Sequence, residues 1–301
     1  MPFPAFVVVV TTLSNEILRY AAFTTDPAGG NPAGVVLDAS ALDDAAMLAI
    51  AADLGYSETA FLTAPPEGLE PQGRAFTLRF FSPKAEVPFC GHATVATSIA
   101  LAERIGVGDL TFATPAGTVP VVVNEREDGA LVATLTSVEP HVEEISEDDV
   151  ARALDLLSWS KDDLDPSLPP RVAYAGARHL VLAAGTRERL ADLDYDFDGL
   201  AAYMTERDLT TVQLAWRESP TTFHVRDPFP VGGVVEDPVT GAAAAAFGAY
   251  LRELDLVPPA VTLTLHQGED LGRPGVLRVE LREGDARVRV SGTGVVIPAG
   301  A

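Results

Sequence analysis

The sequence predicts an α+β protein of two similar halves, each with a sheet wrapped around one buried helix. Three observations carry this. Strand-like stretches in which apolar and polar residues alternate recur along the chain of 301 residues. The order strands, helix, strands, then a helix opened by a glycine turn occurs twice, and the two openings read "VPFCGHATVATSIALAERIG" and "EDPVTGAAAAAFGAYLRELD". The second of these helices is apolar nearly all round, which marks a helix buried on every side. The small side chains of both let a surrounding backbone approach closely.

In the first half, "ILRYAAF" alternates as a half-buried strand does, "TTDPAGGNPAG" is a turn cluster and "VVLD" a short strand. "DDAAMLAIAADLG" has an acidic first turn, apolar residues at helical spacing and Gly55 just past its end, the signature of a capped helix. "YSETAFLTAP" and "RAFTLRFFSP" are strands, residues 91–105 a helix, and "LTFATPAGTVPVVVNERED" and "ALVATLTSV" hairpin-like strands. Acidic residues cluster over 125–145, where the halves divide. The second half opens with "SEDDVARALDL", in which Ser146 and Asp149 stand at capping-box spacing before an apolar face. "RVAYAGARHLVLAA" is a strand pair, "DFDGLAAYMTERD" a helix, and "TTVQLAWR" and "TTFHVRDPFP" strands. Residues 241–254 form the second small-residue helix, and "AVTLTLHQG", "GVLRVELREG" and "ARVRVSGTGVVIP" finish as strands.

The formal net charge is −22, which argues against nucleic acid and anionic membrane as partners, since both attract a basic surface. Arginine supplies nearly all positive charge; the lysines are Lys84 and Lys161. Such a surface fits a salt-rich cytoplasm or a high-GC genome, where acidity keeps proteins soluble; composition drift is the bland reading. A single cysteine, Cys90, allows no internal disulfide and no zinc site with several cysteines, and the five histidines show no HxH or HExxH spacing, so no metal is expected. The N-terminal "MPFPAFVVVVTTLS" is apolar but lacks a basic leader and a small-residue cleavage site, and it is too short to span a bilayer. It reads as an extra strand or an attached extension over 1–16, and the chain as cytoplasmic.

The two glycine-opened helices are the candidate site. A helix N-terminus leaves backbone N–H groups unpaired and carries about half a positive charge. Glycines there admit an anion to the backbone, so two such ends facing each other would hold a small carboxylate without arginine. His92 and Asp237 stand at the two starts. Asp237 is also readable as a plain N-cap, and His92 as a buried histidine bonded to backbone. Glu58, in "GYSETAF", lies after a helix end at the start of a strand. At a cleft edge, burial would raise its pKa and suit it to proton transfer; an exposed glutamate at a strand start is the bland reading.

The motifs "GNPAGVVLD", "SETAFL", "LRFFSPKAEVPFCGHATVATSIAL", "GARHLVL", "EDPVTGAAAAAFGAYL" and "QGEDLGRPG" occur in that order. Together they resemble the phenazine biosynthesis PhzF family, which shares its fold with diaminopimelate epimerase, over roughly residues 17–298. The resemblance implies two pseudo-symmetric domains, each a β-barrel-like sheet around a central helix. The first spans 17–130 and is completed by a C-terminal strand at about 286–298; the second spans 131–285. It implies a homodimer and a cofactor-free isomerase acting in the interdomain cleft on a small carboxylate-bearing substrate. Glu58 matches the acid/base glutamate, and His92 and Asp237 match the histidine and aspartate of the two helix starts. The amides of Gly91, His92, Gly241 and Ala242 would bind the substrate carboxylate, with Asn31 near that pocket. Ala242 departs from the phenazine enzyme, which has a serine there, so a dihydro-hydroxyanthranilate substrate does not carry over.

Two other classes compete. A two-thiol racemase would use Cys90, yet "EDPVTGAA" offers no second thiol, which leaves only a mixed pair of Cys90 with Asp237 or Glu58. A carboxylate-binding protein without catalysis fits the same scaffold if Glu58 faces open solvent. Neither Lys84 nor Lys161 lies in a pyridoxal-phosphate motif.

Overall fold

The second half repeats the strand and helix order of the first, with one short strand and two helices added. The first half contains β1 (Ile17–Ala22), β2 (Asn31–Val36), α1 (Asp44–Leu54), β3 (Glu58–Thr63), β4 (Ala75–Phe81), β5 (Glu86–Val87), α2 (Gly91–Ile105), β6 (Gly108–Thr114), β7 (Gly117–Glu125) and β8 (Leu131–Thr136). The second contains β9 (His141–Glu143), α3 (Glu147–Leu156), β10 (Arg171–Tyr174), β11 (Arg178–Ala183), α4 (Arg187–Ala191), α5 (Phe197–Glu206), β12 (Thr211–Ser219), β13 (Thr222–Pro228), β14 (Glu236–Asp237), α6 (Gly241–Glu253), β15 (Val261–Gln267), β16 (Gly275–Arg282) and β17 (Asp285–Val296). The computed structural model describes residues 16–71 and 73–298. The apolar N-terminal stretch, read from sequence as an extra strand or extension, lies outside them except for Glu16.

The helix signals are realised as physical caps. The Asp43 side chain accepts from the Ala46 amide ahead of α1, and Gly55 closes that helix at a φ of 68°. The Ser146 hydroxyl accepts from the Asp149 amide at the start of α3. One boundary differs. The turn before β2 ends at Gly30, which takes the left-handed φ of 57°, so Asn31–Gly34 already pair with β1 as strand. The sequence placed those residues in the turn because Gly, Asn and Pro cluster there. The short strands β5, β9 and β14 and the helix α4 are too brief to show a period and were not expected.

The pairing itself is duplicated. β1-β2-β3-β4-β6-β7-β8 are joined in the sense antiparallel, parallel, antiparallel, parallel, antiparallel, antiparallel. The run β10-β11-β12-β13-β15-β16-β17 repeats that series. β17 then pairs with both β8 and β1, closing the first sheet into a barrel. The second half thus lends its last strand to the first sheet. β9, which follows β8, pairs with β10. β8 continues the meander of the first sheet, so the sheets divide at 137–140 rather than at the 130/131 division expected from sequence.

α2 runs through the first barrel, and every residue from His92 to Ala102 is buried. Its polar members are satisfied within the helix: Thr94, Thr97 and Ser98 donate to the carbonyls of Cys90, Ala93 and Thr94. α6 occupies the second sheet and packs on β9–β12, β16 and β17. A Cβ at Gly248 would come within 2.6 Å of Val279, so only glycine permits that helix-to-sheet approach. The small-residue composition is the reason both helices fit inside.

Candidate active site

The two buried helices meet end to end. A Cβ on Gly91 would lie 3.9 Å from the Gly241 Cα and 4.0 Å from the Ala242 nitrogen. The residues that precede them, Cys90 and Thr240, give no side-chain cap to α2 or α6. First-turn amides of two helices therefore converge on one spot with both positive dipole ends.

The three reactive side chains come from different elements. Glu58 opens β3, His92 lies in the first turn of α2, and Asp237 ends β14. His92 Nε2 is 3.4 Å from Glu58 Oε2 and 3.4 Å from the Ser57 hydroxyl. Asn31, at the start of β2, ties the other two together. Its Nδ2 donates to Asp237 Oδ1 (2.8 Å) and to the Val239 carbonyl (3.0 Å), and lies 3.1 Å from His92 Nδ1. The Thr240 hydroxyl donates to Asp237 Oδ2 (2.6 Å), and Gln267 Nε2 donates to the Asp237 carbonyl (3.0 Å) and the Thr240 hydroxyl (3.1 Å). Asp237 is therefore not an N-cap; Thr240 takes that place. Nor is His92 bonded to backbone: its ring contacts side chains.

Burial sets the electrostatics. It pushes the Glu58 carboxyl above the usual glutamate range, against hydrogen bonds from Ser57 and Cys90. It raises Asp237 likewise, opposed chiefly by His92 and Thr240. It lowers His92, opposed by Asp237, which favours a neutral ring. The Cys90 thiol is driven well up by burial and by the Glu58 charge, so it stays protonated. Glu58, Cys90 and His92 hold their donor atoms within 4.8 Å of one another, the grouping of metal-ligand types found among the described residues. Cys90 Sγ is 3.3 Å from His92 Nδ1, hydrogen-bond distance for sulfur.

The site is built from two unequal halves of one repeated arrangement. "EVPFCGHA" (86–93) and "EDPVTGAA" (236–243) occupy equivalent places: Glu86 pairs with Phe81 and Val87 with Phe80, as Glu236 pairs with Pro228 and Asp237 with Asp227. Glu58 pairs with Ala33 at the head of β3, as Thr211 pairs with His179 at the head of β12. The counterparts of Glu58, His92, Asp237 and Cys90 are thus Thr211, Ala242, Val87 and Thr240. His92 and Asp237 stand at the two matching helix openings, as the sequence placed them, but at different positions of the repeated motif. The motif repeat was visible in the chain; Ser57, Thr240 and Gln267 carried no signal of their own and were missed.

Two cavities open on the meeting point. One, of about 490 Å³, is lined by Glu58, Cys90, His92, Asp237, Thr240 and Arg178 among others. The other, of about 540 Å³, is lined mainly by apolar residues. Gly91, Gly241 and Ala242 belong to both. Glu58 is 15% exposed at its side chain, open to the first cavity and shielded from bulk water.

The chain matches the profile of the phenazine biosynthesis-like protein family, PhzC-PhzF, over residues 20–300. It is 32% identical to the uncharacterized isomerase YddE of Escherichia coli K12 over 293 residues, which cover 94% of this chain and 96% of that one. It is 29% identical to the trans-2,3-dihydro-3-hydroxyanthranilate isomerase of Pseudomonas fluorescens over 285 residues, 93% of this chain and 96% of the enzyme. The crystal structure of the PhzF-family phenazine biosynthesis protein of Bacillus anthracis superposes with a TM-score of 0.81 at 26% identity, covering 94% of this chain and 96% of that one.

Proposed function

The chain belongs to the phenazine biosynthesis-like protein family and is an isomerase, and from that membership we propose that it shifts a proton within a small carboxylate by glutamate acid/base catalysis. The observation that carries this is Glu58: a shielded carboxyl with its pKa raised, in a cleft where two helix N-termini converge. The substrate carboxylate rests on the first-turn amides of α2 and α6. Glu58 takes a proton from a carbon made acidic by that carboxylate or a conjugated enamine and returns it to a second carbon on the same face. Charge that develops during transfer moves toward the helix dipoles, which are already oriented to receive it. Neutral His92 and hydrogen-bonded Asp237 hold the substrate's hydroxyl or amine. No cofactor enters this scheme.

A two-base racemisation needs a second base on the opposite face. The position equivalent to Cys90 holds Thr240, whose hydroxyl is already given to Asp237, and Cys90 itself is a poor base because its thiol stays protonated. The single-glutamate shift is therefore the reading we favour.

Solvent-deuterium incorporation, followed by proton NMR over a panel of carboxylates that includes trans-2,3-dihydro-3-hydroxyanthranilate, tests it. Where the proton on Glu58 exchanges with solvent before its return, the turned-over substrate gains deuterium at the second carbon. Where it does not, a substrate deuterated at the first carbon delivers its label to the second. Glu58→Gln slows the exchange by roughly 10²–10⁴-fold while ligand still binds. Full exchange in Glu58→Gln would show that another group moves the proton.

A further inference from the structure

We infer that the apolar cavity beyond the helix junction is a substrate arm, so that this isomerase takes carboxylates carrying an extended apolar group. This rests on the junction being the carboxylate cradle of the proposed reaction.

The arm has about 540 Å³, against about 490 Å³ on the reacting side. The two spaces share Gly91, Gly241 and Ala242, so a ligand anchored on those amides has room in both directions. On the reacting side it meets Glu58, His92 and Asp237. On the other it meets Phe23, Phe89, Val119, Leu135 and Val290. Phe23, Leu135 and Val290 are buried in the core, so this wall is built in and not a chance surface dent. The charged side chain on the wall is Arg287, and its guanidinium is paired with Asp285 at 3.0 Å. Thr118, Thr136 and Ser137 also line this cavity and can bond a polar end of the ligand, while an alkyl or ring part loses water against the apolar wall. Small residues widen the passage: Gly176, Ala177 and Ala242 line both cavities, and a side chain longer than alanine at 242 would narrow it. Pockets that are mostly apolar with a few convergent polar groups are the usual form of a small-molecule site.

Binding alone tests this. Isothermal titration of the full chain with straight-chain carboxylates from butyrate to octanoate should show affinity rising about fourfold per methylene, the gain from burying one CH₂. Val119→Trp, on a half-buried strand position of the arm wall, should flatten that series while leaving butyrate binding as it is. Ala245→Leu, which fills the arm from the α6 side, should do the same. Equal affinity at every length in the unaltered protein, or a length dependence that survives both substitutions, would overturn the arm. If neither butyrate nor octanoate binds, the carboxylate cradle fails as well and takes the arm with it. A length series that rises while Glu58→Gln retains deuterium exchange would leave the arm standing and sink only the proton chemistry.

Discussion

Glu58 is reactive because of where β3 begins. Its side chain leaves the barrel at the first paired residue and turns into the cleft, where burial disfavours the charged form. The folded protein then holds a proton that the unfolded chain has already released. Stability from this group is greatest below the ordinary glutamate range and falls as pH rises from there to the raised folded value. Activity runs the other way, because the base must be ionised. We expect kcat/KM to rise with pH with a midpoint above the ordinary glutamate value, and Glu58→Gln to melt higher than the parent at neutral pH with the difference shrinking in acid. A melting series from pH 4 to 8 reads this directly. Asp227 obeys the same sign. It is fully buried, and burial raises its carboxyl well above the usual range against hydrogen bonds from Thr211 and Thr240. Its Oδ1 accepts from Thr211 (2.6 Å), which sits 2.8 Å from the buried His179, a ring held neutral with its pKa lowered to about 3. Asp227→Asn should therefore raise the melting temperature at neutral pH, measured by thermal denaturation beside the parent.

At the scale of the element, one strand–turn–helix module is used twice and has diverged. Both copies keep an arginine on the strand and a glutamate on the short strand opposite. Arg79 binds Glu86 through Nε (2.7 Å) and Nη2 (2.8 Å), and Arg226 binds Glu236 through Nε (2.9 Å) and Nη2 (2.6 Å). Their surroundings differ: the first pair is 24% and 34% exposed at its side chains, the second 9% and 1%. Removing one member of a buried pair strands a charge. Arg226→Met should cost about 3–5 kcal/mol, and Arg79→Met about 1 kcal/mol or less, in denaturant unfolding. Equal costs would mean that burial does not separate the two copies. The helix ranges of both modules were legible in sequence because glycine starts them and small residues fill them. The strand boundary at Asn31 was not, since the residues that make a turn also make the close approach of β2 to β3, where a Cβ on Gly34 would meet Thr59 at 2.6 Å. β5 and β14 have two residues each, too few for any period.

For the whole molecule, acidic residues outnumber basic ones by 43 to 21, so long-range repulsion outweighs the surface ion pairs. Salt screens both, but repulsion among unpaired acids is the larger sum. Rising KCl should raise the melting temperature; a flat or falling response would mean that the surface pairs carry more stability than their exposure suggests. Among the described residues no helix is long and apolar enough to cross a membrane. β17 pairs in both sheets, so the two halves are joined through a shared strand as well as through the connection after β8.

The sequence by itself determined the element order, the internal duplication and the two small-residue helices, because these follow from local periodicity, capping and side-chain size. Its ordered motifs also pointed to Glu58, His92, Asp237 and Asn31. Only the tertiary structure decided that Asn31 and Thr240 hold Asp237 from two sides, and that an apolar space continues past the helix junction. Those facts depend on which strands pair across the chain. Residues as far apart as Asn31 and Asp237 become neighbours only after both sheets have closed around their helices.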